Sequence, residues 1–229
     1  MNNIVCTLPF LFLVPANGIY QAMNYNFYRL ITLICLVVAG LSPNAVAFDQ
    51  EDDVSGLPAV SRFYSPFIER DRSSFTAIAR RTFSRFGVRR VSTVKGHCHS
   101  GIDLQGSMSQ TVYAVAPGRV AAVYWSFPNR SVAVIHRMPD GAPIYSAYVH
   151  IEDITVEPGN VVNENTPLGR IFNQKEMKRS GFATPHLHLE IRKSMKDEGQ
   201  RSYTAMTVSA LEEYCLDPFA FLQRRMRRP

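Results

Sequence analysis

The first 47 residues contain no aspartate or glutamate and only one charged side chain, Arg29. All 19 acidic residues come later. Cysteine is scarce: 229 residues hold four, too few for a small fold stapled by disulfides. No uninterrupted apolar run reaches the ~18–20 residues of a spanning helix, which excludes a multi-pass membrane protein. Internal repeats and low-complexity tracts are missing. So is HExxH, the pattern that sets a glutamate base beside two metal-binding histidines. What is there suffices for a core. Hydrophobic residues make up 46% and charged residues 19%, which excludes a disordered or collagen-like chain.

The uncharged beginning reads as a leader. From Met23, Arg29 supplies a positive n-region, Leu30 to Leu41 an apolar h-region and Ala45-Val46-Ala47 an A-x-A cleavage site. Counting from Met23 gives a length inside the usual ~15–30 residues; counting from Met1 does not. Residues 23–47 are therefore expected to be a signal peptide, with Met23 as the start. The expectation is an exported protein, periplasmic or secreted, with no stable membrane span after cleavage. Beyond residue 47 only Cys98 and Cys215 remain. In an oxidising compartment they can pair, or they can stay as two thiols. The net charge of +6 is scattered over short pairs such as Arg80-Arg81 and Arg89-Arg90, which read as solvated surface. Attraction to an anionic envelope polymer fits an exported chain better than nucleic-acid binding, which is not expected.

Residues 48–60 are acidic and loop-like. In residues 66–86, apolar spacing at Phe67, Ile68, Phe75, Ile78, Ala79 and Phe83 predicts a short amphipathic helix after Ser74. From Gly87 the pattern changes to short alternating runs: Thr111–Val115, Val120–Tyr124, Val132–His136, Ile144–Ile151, Leu168–Phe172 and His186–Ile191. Pro117-Gly118, Asp140-Gly141 and Pro158-Gly159 separate them as turns. This spacing predicts one mainly β, antiparallel domain. An extension at 48–83 is expected to pack outside it. A C-terminal extension at 193–229 begins as a loop and closes with a helix or strand over Leu211–Leu222.

All six histidines lie between residues 97 and 188. In Pro185-His186-Leu187-His188-Leu189-Glu190-Ile191, strand alternation puts His186, His188 and Glu190 on one face and the aliphatic residues on the other. Two imidazoles and a carboxylate at that period make half of a metal site. Taken alone, such a strand is more often a surface accident. His99 and Asp103 are four apart, on one face of a second strand. Gly101 between them lets the backbone approach something closely. Tyr148 and His150 share a face at the end of a third.

Taken together and in this order, the segments resemble the lysostaphin-type (LytM-domain) zinc metallopeptidases, which cut peptide bonds in bacterial peptidoglycan. The family pattern is an HxxxD segment, a Tyr-x-His strand and a late His-Leu-His, here His99…Asp103, Tyr148-Val149-His150 and His186-Leu187-His188. Val112–Val120 is similar to its hairpin, and Val156–Val162 with Leu168-Gly169 to its paired turns; the resemblance covers about residues 84–192 and implies a sheet with an open groove. The resemblance implies one Zn²⁺ per chain, held by His99, Asp103 and His188, with His150 and His186 as the catalytic pair beside an open coordination position. It implies peptidoglycan stem or bridge peptides as substrate. Tyr148 is a candidate for a hydrogen bond to the tetrahedral intermediate or for packing, and Glu190 for orienting a ligand imidazole. His97 is an extra imidazole: a bystander, or the ligand if the register slips by two. Residues 173–184 depart from the family, being charged where a glycine-rich approach is usual. The alternative function is a non-catalytic LytM-like module that binds the wall or activates an amidase. Such modules are expected to have lost ligands or catalytic histidines, and here all five positions are filled. Oligomeric state is not legible.

Overall fold

The computed structural model describes residues 45–47, 53–91, 95–195 and 206–226, all within one compact unit, Asn44–Pro229. The expected leader, up to residue 44, lies outside the described residues. Twelve strands are described: β1 (Ala45–Ala47), β2 (Thr82–Ser84), β3 (Ile102–Gln105), β4 (Thr111–Tyr113), β5 (Gly118–Tyr124), β6 (Ser131–Arg137), β7 (Pro143–Val149), β8 (Ile151–Glu152), β9 (Val161–Val162), β10 (Pro167–Ile171), β11 (His186–Arg192) and β12 (Cys215–Leu216). The helices are α1 (Phe75–Arg81), α2 (Gln174–Ser180), α3 (Val208–Glu212) and α4 (Pro218–Arg225).

Nine strands form an open sheet ordered β1-β5-β6-β7-β11-β3-β2, with β9 beside β5 and β12 beside β11. A smaller sheet runs β4-β10-β8. Every named strand pair is antiparallel, as the alternating runs predict. β6 shows why the centre of the large sheet is where it is. Ser131 to His136 are all buried, so this strand is covered on both faces. Val132 and Val134 join the main core, while Ile135 meets Val54, Leu57 and Tyr145 on the other side. The expected cleavage site, Ala45–Ala47, is an edge strand against Tyr124–Ala122 of β5.

The segment expected to pack outside the β domain is part of its core. Phe63, Phe67 and Ile78 are fully buried among Ile102, Leu187 and Phe221. Once Ser74 caps α1 by accepting from the Thr76 N–H, the apolar spacing has one covered face, and that face is the sheet. Two residues of the same pattern go the other way: Ile68 and Phe83 are 61% and 50% exposed. Phe83 is on β2, past the end of the helix, so helical periodicity no longer governs it.

The Cys98–Cys215 disulfide is not formed. Both thiols are buried, but in different surroundings. Cys98 packs with Leu211 and Phe86, whereas Cys215 lies on β12 opposite Arg192. The closing segment is both of the expected alternatives in succession, α3, β12 and then α4. Residues 173–184, with no structure expected, contain α2. Its Asn173–Glu176 capping box and left-handed Gly181 at the C-cap supply both end signals.

Candidate metal centre

Register builds the site. On β11, His188 pairs with Asp103 of β3 on one side and with Val149 of β7 on the other. Paired residues project to the same face, so His188 and Asp103 meet, while Leu187, Leu189, Ile102 and Leu104 go into the core. His99 arrives from the segment before β3. Gly101 permits this: a Cβ there would stand 2.4 Å from the Leu189 carbonyl oxygen and 3.0 Å from the His188 ring. The close approach expected at Gly101 is to β11 itself.

Three donor atoms converge. His99 Nε2 lies 3.0 Å from Asp103 Oδ1 and 2.9 Å from His188 Nδ1, and His188 Nδ1 lies 3.0 Å from Asp103 Oδ1. The outer nitrogens fix the tautomers. His99 Nδ1 faces the Arg85 carbonyl at 2.7 Å. A carbonyl only accepts, so that nitrogen carries the hydrogen and Nε2 presents a lone pair. His188 Nε2 donates to Glu190 Oε1 at 3.0 Å, leaving Nδ1 to face inward. Two nitrogens and a carboxylate oxygen this close repel one another unless a positive charge sits among them. Burial alone pushes the His188 pKa down, but Asp103 and Glu190 more than reverse this and hold it up at about 9. Either a proton on Nδ1 or a metal cation meets that demand. Two imidazoles and one carboxylate suit Zn²⁺, and among the described residues His99, Asp103 and His188 form the group able to hold a metal.

The surroundings stiffen this triangle. Asp103 Oδ2 accepts from Arg90 Nη2 at 2.5 Å. Burial pushes the Asp103 carboxyl up, but the His188 and His99 rings it faces hold it well below the usual carboxylate range. Glu190 accepts from Ser100 Oγ at 2.5 Å and from the fully buried Arg192 at 2.9 Å. Burial raises Glu190 as well, and its bonds to His188 and Arg192 bring it down to about 2. It is therefore a charged acceptor that fixes the His188 ring, the arrangement ligand histidines commonly need. Arg192 was legible as the next same-face residue after Glu190; Arg90 and Ser100 had no pattern to give them away.

Two further imidazoles face the triangle. The His150 ring lies 5.2 Å from His186 and 5.9 Å from His188 between centroids. Each is oriented by a main-chain carbonyl: His150 Nδ1 donates to Pro128 O at 2.8 Å and His186 Nδ1 to Thr184 O at 2.7 Å. Both Nε2 atoms therefore carry lone pairs. Burial, then the neighbouring His186 and His188 rings, push His150 down to about 3, and burial lowers His186. Both are neutral at neutral pH. Phe182 packs against both rings at 4.6 and 5.1 Å, and Phe83 flanks His186 at 5.7 Å.

Tyr148 is not at this site. It pairs with Leu189, not His188, so it belongs to the core face and is fully buried. Its hydroxyl meets the Val115 N–H at 2.7 Å and Ser146 Oγ at 2.9 Å. Of its two expected roles it has the packing one. The expected shared face fails because His150 adopts a left-handed φ of 66°, which breaks the alternation and turns its ring toward His188. His97 is buried two residues upstream and is not in the donor cluster. His136 is deep in the sheet, between Pro117 O and Ser146 Oγ at 2.8 Å each.

Fold and donor set define a class: an antiparallel β-sheet protein with a His–Asp–His cluster able to hold a metal, overlooked by two more imidazoles. Residues 97–202 match the model of Peptidase family M23, and this stretch is an M23 peptidase domain, as the sequence resemblance implied. Similar solved structures include the antimicrobial peptidase lysostaphin from Staphylococcus simulans, at 19% identity and a TM-score of 0.48. Its catalytic domain, crystallized in the absence of phosphate, gives 18% and 0.46, and LytU gives 20% and 0.44. These matches cover 72%, 66% and 63% of this chain and 55%, 98% and 85% of the respective structures. The chain thus spans about half of the full lysostaphin chain. No curated protein matches.

Proposed function

We propose that the chain is an exported, zinc-dependent endopeptidase that hydrolyses peptide cross-links in bacterial peptidoglycan. The M23 domain supports the peptidase class, and the uncharged leader supports export. His99 Nε2, Asp103 Oδ1 and His188 Nδ1 would hold the ion. When bound, zinc supplies Lewis acidity, polarising a carbonyl and making water easier to deprotonate. The chain's own residues do the rest. Neutral His150 and His186, each with Nδ1 tied to a backbone carbonyl, offer Nε2 to take the proton from the attacking water and return it to the leaving amine. The observation that carries this reading is that pair of oriented lone pairs. A metal site with only a structural role needs His99, Asp103 and His188 and has no use for two more imidazoles turned toward them.

Incubation of the purified protein with peptidoglycan is expected to release new amino termini, and a chelator should abolish the release. His188→Ala should lose both zinc and activity. His150→Ala should keep stoichiometric zinc by mass spectrometry and lose about 10²–10⁴ in rate. Full zinc occupancy without any cleavage by the unaltered chain would overturn the reading in favour of a binding module.

A further inference from the structure

Residues 173–184, where the family's glycine-rich approach is replaced, carry both an aromatic side chain that packs on His150 and His186 and several charged ones. Phe182, just past α2, lies on the His150 and His186 rings. It stacks on Phe172 at 6.0 Å with an interplanar angle of 5°, and Phe172 stacks on Phe127 at 5.2 Å and 18°. Over the outer face of Phe127, 4.1 Å from its centroid, lies the Arg179 guanidinium. A row of three rings thus leads from the reacting imidazoles to one cation.

That cation has no counter-ion among the described residues. The nearby carboxylates are spent elsewhere. Glu176 binds Arg170 at 2.7 Å and the Asn173 N–H at 2.8 Å, Asp153 binds Arg170 at 2.6 Å, and Glu152 binds Arg130. Lys175 and Lys178 of the same helix are exposed and pair with no carboxylate among the described residues. A guanidinium lying on an aromatic face keeps its N–H edge free for an incoming planar anion, and less freedom is lost on binding it. Arg179 therefore carries unneutralised positive charge on a held platform at the far end of the ring row from His150 and His186.

We propose that Arg179, seated on Phe127, recognises a free carboxylate on the peptide in the cleft and favours acidic stem peptides over uncharged glycine bridges. This rests on the peptidase reading for the identity of the occupant. The test uses the full chain carrying His150→Ala, loaded with zinc, to prevent turnover. Two synthetic stem peptides are titrated by calorimetry, identical except that a side-chain or terminal carboxylate in one is a carboxamide in the other. The acid form should bind about three- to tenfold more tightly, with the gap shrinking as salt is raised. Adding Arg179→Glu should erase or invert the gap and leave the amide peptide within about twofold. Equal affinities, or an equal loss for both peptides in the Arg179→Glu protein, would overturn the proposal. Hydrolysis of the same pair by the unaltered chain is read separately. A binding preference without hydrolysis upholds the carboxylate site and removes the peptidase reading; hydrolysis with no preference in binding removes the site alone.

Discussion

His136 shows how one buried side chain ties acid sensitivity to the fold. Its Nδ1–H donates to Pro117 O, so Nε2 accepts from Ser146 Oγ, which accepts in turn from Tyr148, whose oxygen takes the Val115 N–H. Every group is satisfied only while the imidazole is neutral. Burial pushes its pKa from 6.5 down to about 4. The unfolded chain therefore takes up a proton first as pH falls. The stabilisation is full above about 6.5 and is lost as pH drops toward 4, on the order of 3 kcal/mol. The stability gap between the unaltered protein and His136→Asn, measured by urea unfolding, should narrow between pH 7 and pH 4.5. An unchanged gap would show that the ring is not held neutral. The sequence singled out six histidines by their clustering and resolved four of them by motif. It offered nothing to separate His136, a core residue, from the rest, because its partners are a carbonyl and hydroxyls set by tertiary packing.

Strand alternation made the metal face legible and also marked where legibility ended. His186, His188 and Glu190 share a face because β11 is regular, and Asp103 joins them through plain antiparallel register. The prediction for Tyr148 and His150 failed at a single left-handed residue, which no alternation rule anticipates. Helix α2 went unpredicted because Met177 is its one apolar side chain, so it has no apolar spacing to read, although its capping signals were in plain text. Gly101 governs how closely its segment docks on β11. Gly101→Ala should cost about 1–3 kcal/mol through overpacking and weaken zinc retention during dialysis, since the new methyl would press on Leu189 O and the His188 ring. Gly56→Ala has open space around it and should stay within about 1 kcal/mol of the unaltered protein. Similar effects of the two substitutions would contradict the close-approach argument.

At the scale of the molecule, the core is closed by pieces far apart in the chain. Phe63 meets Phe221 edge-to-face at 5.0 Å and the His136 ring at 5.7 Å, and the Phe63 N–H donates to Arg225 O at 3.2 Å. Phe63→Ala should cost about 3–5 kcal/mol, read as a lower urea midpoint, with the loss felt at both ends of the chain. A loss below about 1 kcal/mol would mean that the early segment is an accessory after all. The sequence marked Phe67 and Ile78 as one apolar face but gave no partner for it, because the partner comes from Leu187, Phe221 and other residues more than a hundred positions downstream.

The clasp between Phe63 and α4 bears on when folding can finish. A growing chain that has emerged as far as β11 already has all three candidate donors, His99, Asp103 and His188, yet the apolar socket around Phe63 still lacks Phe221, Leu222 and Met226. Closure of this socket therefore waits for α4, and the early segment around Phe63 can pack fully only after residues 218–226 have emerged.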